Sequence, residues 1–370
     1  MSTRTVLCEA RPDPTIGTRA GRLIGMSPDR VIPGTVRHQI PTVKLVAYAG
    51  GLLGLLLLTV LVVRSDFGAM WQTLRSAGWD LLWLPPYRLV YFALYAIGWR
   101  LLLKPYDPHR RAGFGFILWV TMVREAIDRL LPVASVGGGF AGVRLIGWRG
   151  IPTAPAAATV ATEVLLTMFV LYVFTATGLC LLTGLGASEQ TYRHVLMALV
   201  LGLPVPIVTG LLLRNGAVFG RIEAFLRPMV GVTALSDGAA SLDRELRACL
   251  SHGNSLALAG ILQLLAFFSA SFEVWFALRL FGHPVDARGA VMLEAMTQAM
   301  RHVAFVVPAG LGVQEAGFVL FGHALGISSE LALAVSMAKR MREVLCGVPP
   351  LISWQWCEAS RLRWPVSGES

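Results

Sequence analysis

Ionisable side chains stand inside apolar stretches of this chain at spacings that set opposite charges on one helix face. Arg124 and Asp128, Glu125 and Arg129, and Lys339 and Glu343 are each one helical turn apart, at i and i+4. Glu294, Gln298 and Arg301 share another such face, and Arg340 and Arg342 crowd beside Lys339. Glu163 stands alone in a long apolar run, with no opposite charge near it along the sequence. An ionised group at the centre of a membrane helix costs roughly 2.5–3.5 kcal/mol, so this many must either line a polar cavity or neutralise one another. The chemistry they offer is binding: Arg144, Arg301 and Lys339 donate to hydroxyl or phosphate oxygens, and Glu163 and Glu315 take up hydroxyls or cations.

Bond-breaking chemistry has no comparable signature. The chain has no G-x-S-x-G, no H-E-x-x-H, no D-x-D and no His followed five positions later by Asp. No catalytic residue is expected, and the protein reads as a non-enzyme. Its five cysteines (Cys8, Cys180, Cys249, Cys346, Cys357) form no C-x-x-C pair and no zinc-like spacing with histidine, so neither disulfide nor metal site is expected. Gly137-x-Gly139-x-x-Gly142 matches the dinucleotide fingerprint only formally, because no βαβ unit surrounds it; no cofactor is expected. Of seven histidines only His302, beside Arg301, falls at a cavity-facing position.

The elements that must hold these groups are set by composition. Asp, Glu, Lys and Arg make up 15% of the 370 residues, against about 25% in soluble chains, while 55% are hydrophobic and the mean hydropathy is +0.63. The fold class is therefore an all-α polytopic integral membrane protein. Stretches long enough to cross a bilayer core of about 30 Å occur at 45–63, 79–103, 114–131, 154–182, 195–213, 255–281, 287–307 and 329–354, about eight transmembrane helices. Pro85-Pro86 is expected to break the second, and Arg88 to snorkel to the interface. Gly50 and Gly54, and likewise Gly138/Gly142 and Gly322/Gly326, have helix-contact spacing. Residues 214–253 mix charge with apolar residues and read as amphipathic surface helices.

Residues 1–44, with seven basic residues, three acids and five prolines, read as a disordered basic tail rather than a cleaved signal peptide, and 356–370 as a second tail. The net charge of +10 suits cytoplasmic loops facing anionic lipid, and no arginine stripe interleaved with aromatics suggests nucleic acid. Basic tails place both termini inside, which leaves 214–253 outside.

An internal repeat joins the charges to breaks in the backbone. Leu131-Pro132-Val133-Ala134 leads through Gly137, Gly138 and Gly139 to Gly150; Val307-Pro308-Ala309-Gly310 leads through Gly312 to Gly326. The step from proline to final glycine is the same in both, and an equal further step reaches Glu163 in one and Lys339 in the other. A single constant offset therefore carries Pro132 onto Pro308, Gly150 onto Gly326 and Glu163 onto Lys339. Freed backbone groups survive in a membrane only against protein or a watery cavity. Within the repeat motifs 131–163 and 307–339, the stretches from Pro132 to Gly150 and from Pro308 to Gly326 therefore read as two re-entrant Pro-Gly hairpins, which with the helices after them enclose a lipid-headgroup cavity. Its candidate residues are Arg124, Asp128, Arg144, Glu163, Arg301, Gln314, Glu315, Lys339, Arg340 and Glu343.

At these residues the chain resembles the transmembrane region of lysylphosphatidylglycerol synthases, a flippase-like family, over about residues 45–355. The run Leu-Leu-Pro-x3-Val-Gly-Gly-Gly-x3-Val-Arg-Leu at 130–145, followed by Arg149-Gly150-Ile151, is similar to the branch encoded with hopanoid biosynthesis; Val-Pro-Ala-Gly-Leu-Gly-Val-Gln-Glu-Ala-Gly at 307–317 is the most specific match. Many members carry an acid after the first glycine pair, where this chain has Gly139-Phe140 and keeps an acid only in the second copy, as Glu315. That departure implies a less cationic or more hydroxylated headgroup. The resemblance implies movement of a lipid, with a hopanoid or another polar-headgroup lipid preferred, across a bacterial inner membrane, in partnership with hopanoid biosynthesis or lipid-export proteins. Bifunctional relatives append a soluble catalytic domain, which this chain, stopping at Ser370, is not expected to have. Two alternatives stay open: a membrane-embedded headgroup transferase with Glu163 as general base, and a non-transporting scaffold for hopanoid enzymes.

Overall fold

The computed structural model describes residues 78–131, 137–184, 235–304, 307 and 310–363, with single positions at 72, 75, 193, 196, 197, 200, 202, 208 and 211. The chain divides into two units, Met1–Thr42 and Val43–Ser370, and the first lies wholly outside the described residues. So do the span at 45–63, most of that at 195–213, and Pro132 and Pro308.

Among the described residues all regular structure is helical, with nine α-helices. They are α1 (Leu84–Leu103), α2 (Phe114–Leu130), α3 (Gly137–Gly147), α4 (Thr153–Gly184), α5 (Leu235–Ser251), α6 (Gly253–Leu280), α7 (Ala287–Val303), α8 (Val313–Gly322) and α9 (Ser329–Arg363). Two of them, α4 and α6, are long and apolar enough to cross a membrane by length and composition.

Local chemistry sets the ends. Pro85 and Pro86 lie in the first turn of α1, where the missing N–H groups would have had no intrahelical partner, so they start this helix rather than break it. The residue before a proline disfavours helical dihedrals, and α2 stops there: Leu131 is extended at φ −105°, ψ 145°. Asp286 caps α7 by accepting from the Gly289 N–H at 2.8 Å. Gly312, at φ 74°, turns the chain into α8, and Gly326, at φ 69°, ends the 3-10 turn that follows it, so Gly326 serves a left-handed turn rather than a helix contact. The chain stays helical to Arg363, which carries α9 into the stretch expected to be a tail.

The repeat is visible in the elements. The offset that carries Gly137, at the start of the short helix α3, onto Val313, at the start of the short helix α8, also carries Thr153, which opens the long α4, onto Ser329, which opens the long α9. Packing interleaves the two copies: α1 lies on α6, α2 on α9, and α7 on α4. The α1–α6 contact is antiparallel, since Gly98 meets Ala259 while Arg88, earlier in α1, meets Glu273, later in α6. Small residues let these helices close: a Cβ on Gly178 of α4 would lie 2.5 Å from the Ala295 Cβ of α7, and one on Gly347 of α9 would lie 2.7 Å from Leu130 of α2. Apolar cores flank the contacts, around Leu179, Leu182, Met292 and Phe318 in one place and around Trp99, Val120, Leu145 and Ile146 in another.

Candidate functional site

In the second copy, α7, α8 and α9 converge on polar groups. The Lys339 ammonium, 2% exposed, donates to Glu294 Oε2 at 2.6 Å and lies 5.3 Å from the Phe318 ring centroid. Glu294 also accepts from Gln298 Nε2 at 2.8 Å. Glu315 sits in the first turn of α8, where the helix dipole favours an anion, and accepts from the Ser336 hydroxyl at 3.0 Å and from Arg340 Nε at 3.1 Å. Gln314 accepts from Arg301 at 2.6 Å and donates to Ser336 at 2.9 Å. The left-handed Gly310, at φ 59°, presents its carbonyl to Arg340 Nη2 at 3.0 Å.

The first copy repeats the plan with the charges exchanged. Arg124 on α2 donates to Glu163 on α4 at 2.6 Å, and its guanidinium lies over the Trp99 ring, 4.4 Å from the centroid. Asp128, one turn further along α2, accepts the Gly138 N–H at 2.9 Å and so satisfies one of the orphan donors at the start of α3. Only glycine fits there: a Cβ on Gly138 would lie 2.5 Å from both the Arg124 carbonyl oxygen and Asp128 Oδ2. In each copy the helix before the short one is thus tied to the helix after it by a close ion pair at 2.6 Å.

A third group bridges the copies. Arg88 reaches Glu273 and Glu125, each at 3.5 Å; Arg342 donates to Glu273 at 2.7 Å; Arg129 donates to Glu125 at 3.0 Å; Arg301 and Arg340 approach Glu343 at 3.6 and 3.4 Å. Across the three groups seven cations (Arg88, Arg124, Arg129, Arg301, Lys339, Arg340, Arg342) face six paired carboxylates and Asp128. Taken away from water, such groups hold their charge only through these partners.

Of the ten residues proposed from sequence, nine fall in these groups. Arg144 does not: it is exposed on α3 and pairs with Glu358 near the end of α9, so it lines no cavity here. Some partners also differ. Arg124 pairs with Glu163 instead of Asp128, and Lys339 with Glu294 instead of Glu343, because neighbouring helices bring a carboxylate closer than the next turn does. The Glu125–Arg129 pair forms as its spacing suggests. Gly137, Gly138 and Gly139 open α3, and Gly310 and Gly312 shape the turn into α8. His302 is exposed, its Nδ1 2.8 Å from the Gln298 carbonyl oxygen.

The sequence-based site omits Arg88, Glu125, Arg129, Glu273, Glu294 and Arg342. Arg88 does not snorkel: it is 3% exposed and held over the Tyr91 ring. The signal that singles out Glu163, a lone charge in an apolar stretch, applies equally to Arg88 and Glu273.

Beside the bridging group, between α1, α2 and α9, lies a crevice with room for about one water molecule. Glu125, Arg129, Arg342 and Glu343 line it together with Phe92 and Met122. Among the described residues no three His, Cys, Asp or Glu side chains converge as metal ligands.

No curated protein and no solved structure matches the chain. The family described as the lysylphosphatidylglycerol synthase TM region matches over residues 48–348, which takes in all three charge groups and both short helices, and points to a membrane protein with a lipid-related function. With the match covering most of its length, this chain belongs to the lysylphosphatidylglycerol synthase TM-region family.

Proposed function

We propose that the protein moves a polar-headgroup lipid, a hopanoid being the preferred cargo, between leaflets of a bacterial inner membrane or supports its export. In this reading α3 and α8 are re-entrant. At 11 and 10 residues they are about 15 Å long, half of what a crossing needs. The long helices α1, α4, α6 and α9, with the apolar stretches at 45–63 and 195–213, make the crossings, and α2 and α7 lead into the two short helices. Because copy-related α1 and α6 run antiparallel, a two-fold axis between them lies across the helices, the arrangement of an inverted repeat with its site at the repeat interface.

The observation that carries the reading is the concentration of paired, buried charge where the two short helices meet the long ones. Replacing a buried ion network by well-packed apolar side chains is often neutral or stabilising, so holding the fold alone is a weak reason to keep one. Its placement beside two chain breaks suits a headgroup path, with the lipid tail left among the acyl chains. Reconstitution tests this: unchanged lipid crossing between leaflets supports transport, and a new lipid species of altered mass overturns it in favour of a headgroup transferase.

A further inference from the structure

We infer that the headgroup carried here has no net charge, an inference that rests on the transport reading and specifies its cargo. The crevice between α1, α2 and α9 is where the charge groups come nearest to the outside: the Glu125 and Arg129 side chains are 24% and 18% exposed, against 16% for Arg340, 13% for Arg124 and 5% or less for Glu273, Arg342, Glu343, Glu294 and Lys339. Its polar lining holds two carboxylates, Glu125 and Glu343, and two guanidiniums, Arg129 and Arg342, beside an apolar wall of Phe92 and Met122. Charged and apolar surfaces meeting in one crevice suit an amphiphile, and room for about one water admits a single hydroxyl without parting the pairs that line it.

The balance of that lining decides the class. Each guanidinium already has a carboxylate: Arg129 holds Glu125 and Arg342 holds Glu273, while Glu343 is approached by Arg301 and Arg340. An anionic headgroup entering such a set must take a guanidinium from a carboxylate and leave that carboxylate buried without a partner. A cationic headgroup does the reverse to a guanidinium. A polyol inserts hydroxyls, which donate and accept, without displacing any charge, and a zwitterion supplies its own replacement for each ion it displaces.

Away from the crevice, unused hydrogen-bonding capacity takes donors and acceptors alike. Buried atoms without a partner among the described residues include two donors, Arg88 Nε and Arg124 Nε, and two oxygens, Thr297 Oγ1 and Gln298 Oε1.

The test separates binding from transport. Purified full-length protein in nanodiscs of mixed composition is examined by native mass spectrometry for retained lipid, with a glycosyl diacylglycerol as the polyol, phosphatidylcholine as the zwitterion and phosphatidylglycerol as the anion. Retention of the polyol or the zwitterion over phosphatidylglycerol by about tenfold is expected, and which of the two is retained names the source of the neutrality. Equal or preferential retention of phosphatidylglycerol overturns the inference. Glu125→Gln, which adds one positive charge to the crevice, is expected to bring phosphatidylglycerol up to parity, and Arg129→Gln is not; identical selectivity in both variants overturns it as well. Should either variant fail to fold, the wild-type comparison decides alone. The transport reading fails separately, if bound lipid never changes leaflet.

Discussion

Lys339 on α9 holds Glu294 on α7 at 2.6 Å, and Glu163, the repeat counterpart of Lys339 on α4, is held by Arg124 at the same distance. One copy places the cation on the helix after the short element, and the other places it on the helix before. Two related contacts with exchanged charge suggest that geometry, more than the order of the charges, is what the fold requires.

That requirement makes the second pair exchangeable. Lys339→Glu or Glu294→Lys alone buries like charges and is expected to destabilise by about 3–5 kcal/mol, the range for breaking a buried pair. The double variant restores an opposite pair in the polarity natural to the first copy and should recover most of the loss. Thermal unfolding of the detergent-purified proteins checks this; a double variant no better than the singles contradicts it.

Gly138→Ala should destabilise by about 1–3 kcal/mol, since its Cβ would meet backbone and carboxylate oxygens at 2.5 Å and neither can withdraw without breaking the start of α3. Gly115→Ala, with nothing within 4 Å of the new Cβ, is the control and should be neutral or slightly stabilising. The same unfolding measurement compares them.

Arg144→Ala should change stability by no more than about 0.5 kcal/mol, because the Arg144–Glu358 pair is at the surface and screened. Lipid transport should persist. A loss of transport as severe as that of Glu163→Gln would return Arg144 to the cargo path.

Cysteine labelling reports on α5. Burial pushes the Cys249 thiol up, with the neighbouring Tyr106 hydroxyl pulling the other way less strongly. A raised thiol pKa leaves less thiolate at neutral pH, so Cys249 should react with maleimide far more slowly than exposed Cys357 and catch up only as the pH rises. Peptide mass spectrometry of the labelled protein gives both rates.

Much of this arrangement is legible in the residues. Pro132 and Pro308, the glycines after them and the constant offset between them mark the two copies, and nine of the ten proposed residues sit in the charge groups. Partners are less legible, because i,i+4 spacing describes one helix whereas Arg124 and Lys339 find theirs on another, and helix packing is a tertiary matter. Arg88 misleads for the same reason: snorkelling is the rule for a charge facing lipid, and only Glu125 and Glu273 across the interface show that it faces protein. Pro85-Pro86 misleads because a proline pair breaks a helix interior but suits a first turn, and hydropathy does not say where the turn begins. Arg144 misleads through proximity to the glycine motif, when its own face of α3 points away from the charge groups.

Leaflet exchange of an acyl-labelled polyol lipid in vesicles, with and without the purified protein, is the most direct measurement of the transport claim. Exchange well above the protein-free rate, lost in Glu163→Gln and Glu315→Gln but kept on deletion of residues 1–40, is the expected result. Exchange no faster than in empty vesicles, or equal in wild type and both glutamine variants, would contradict it.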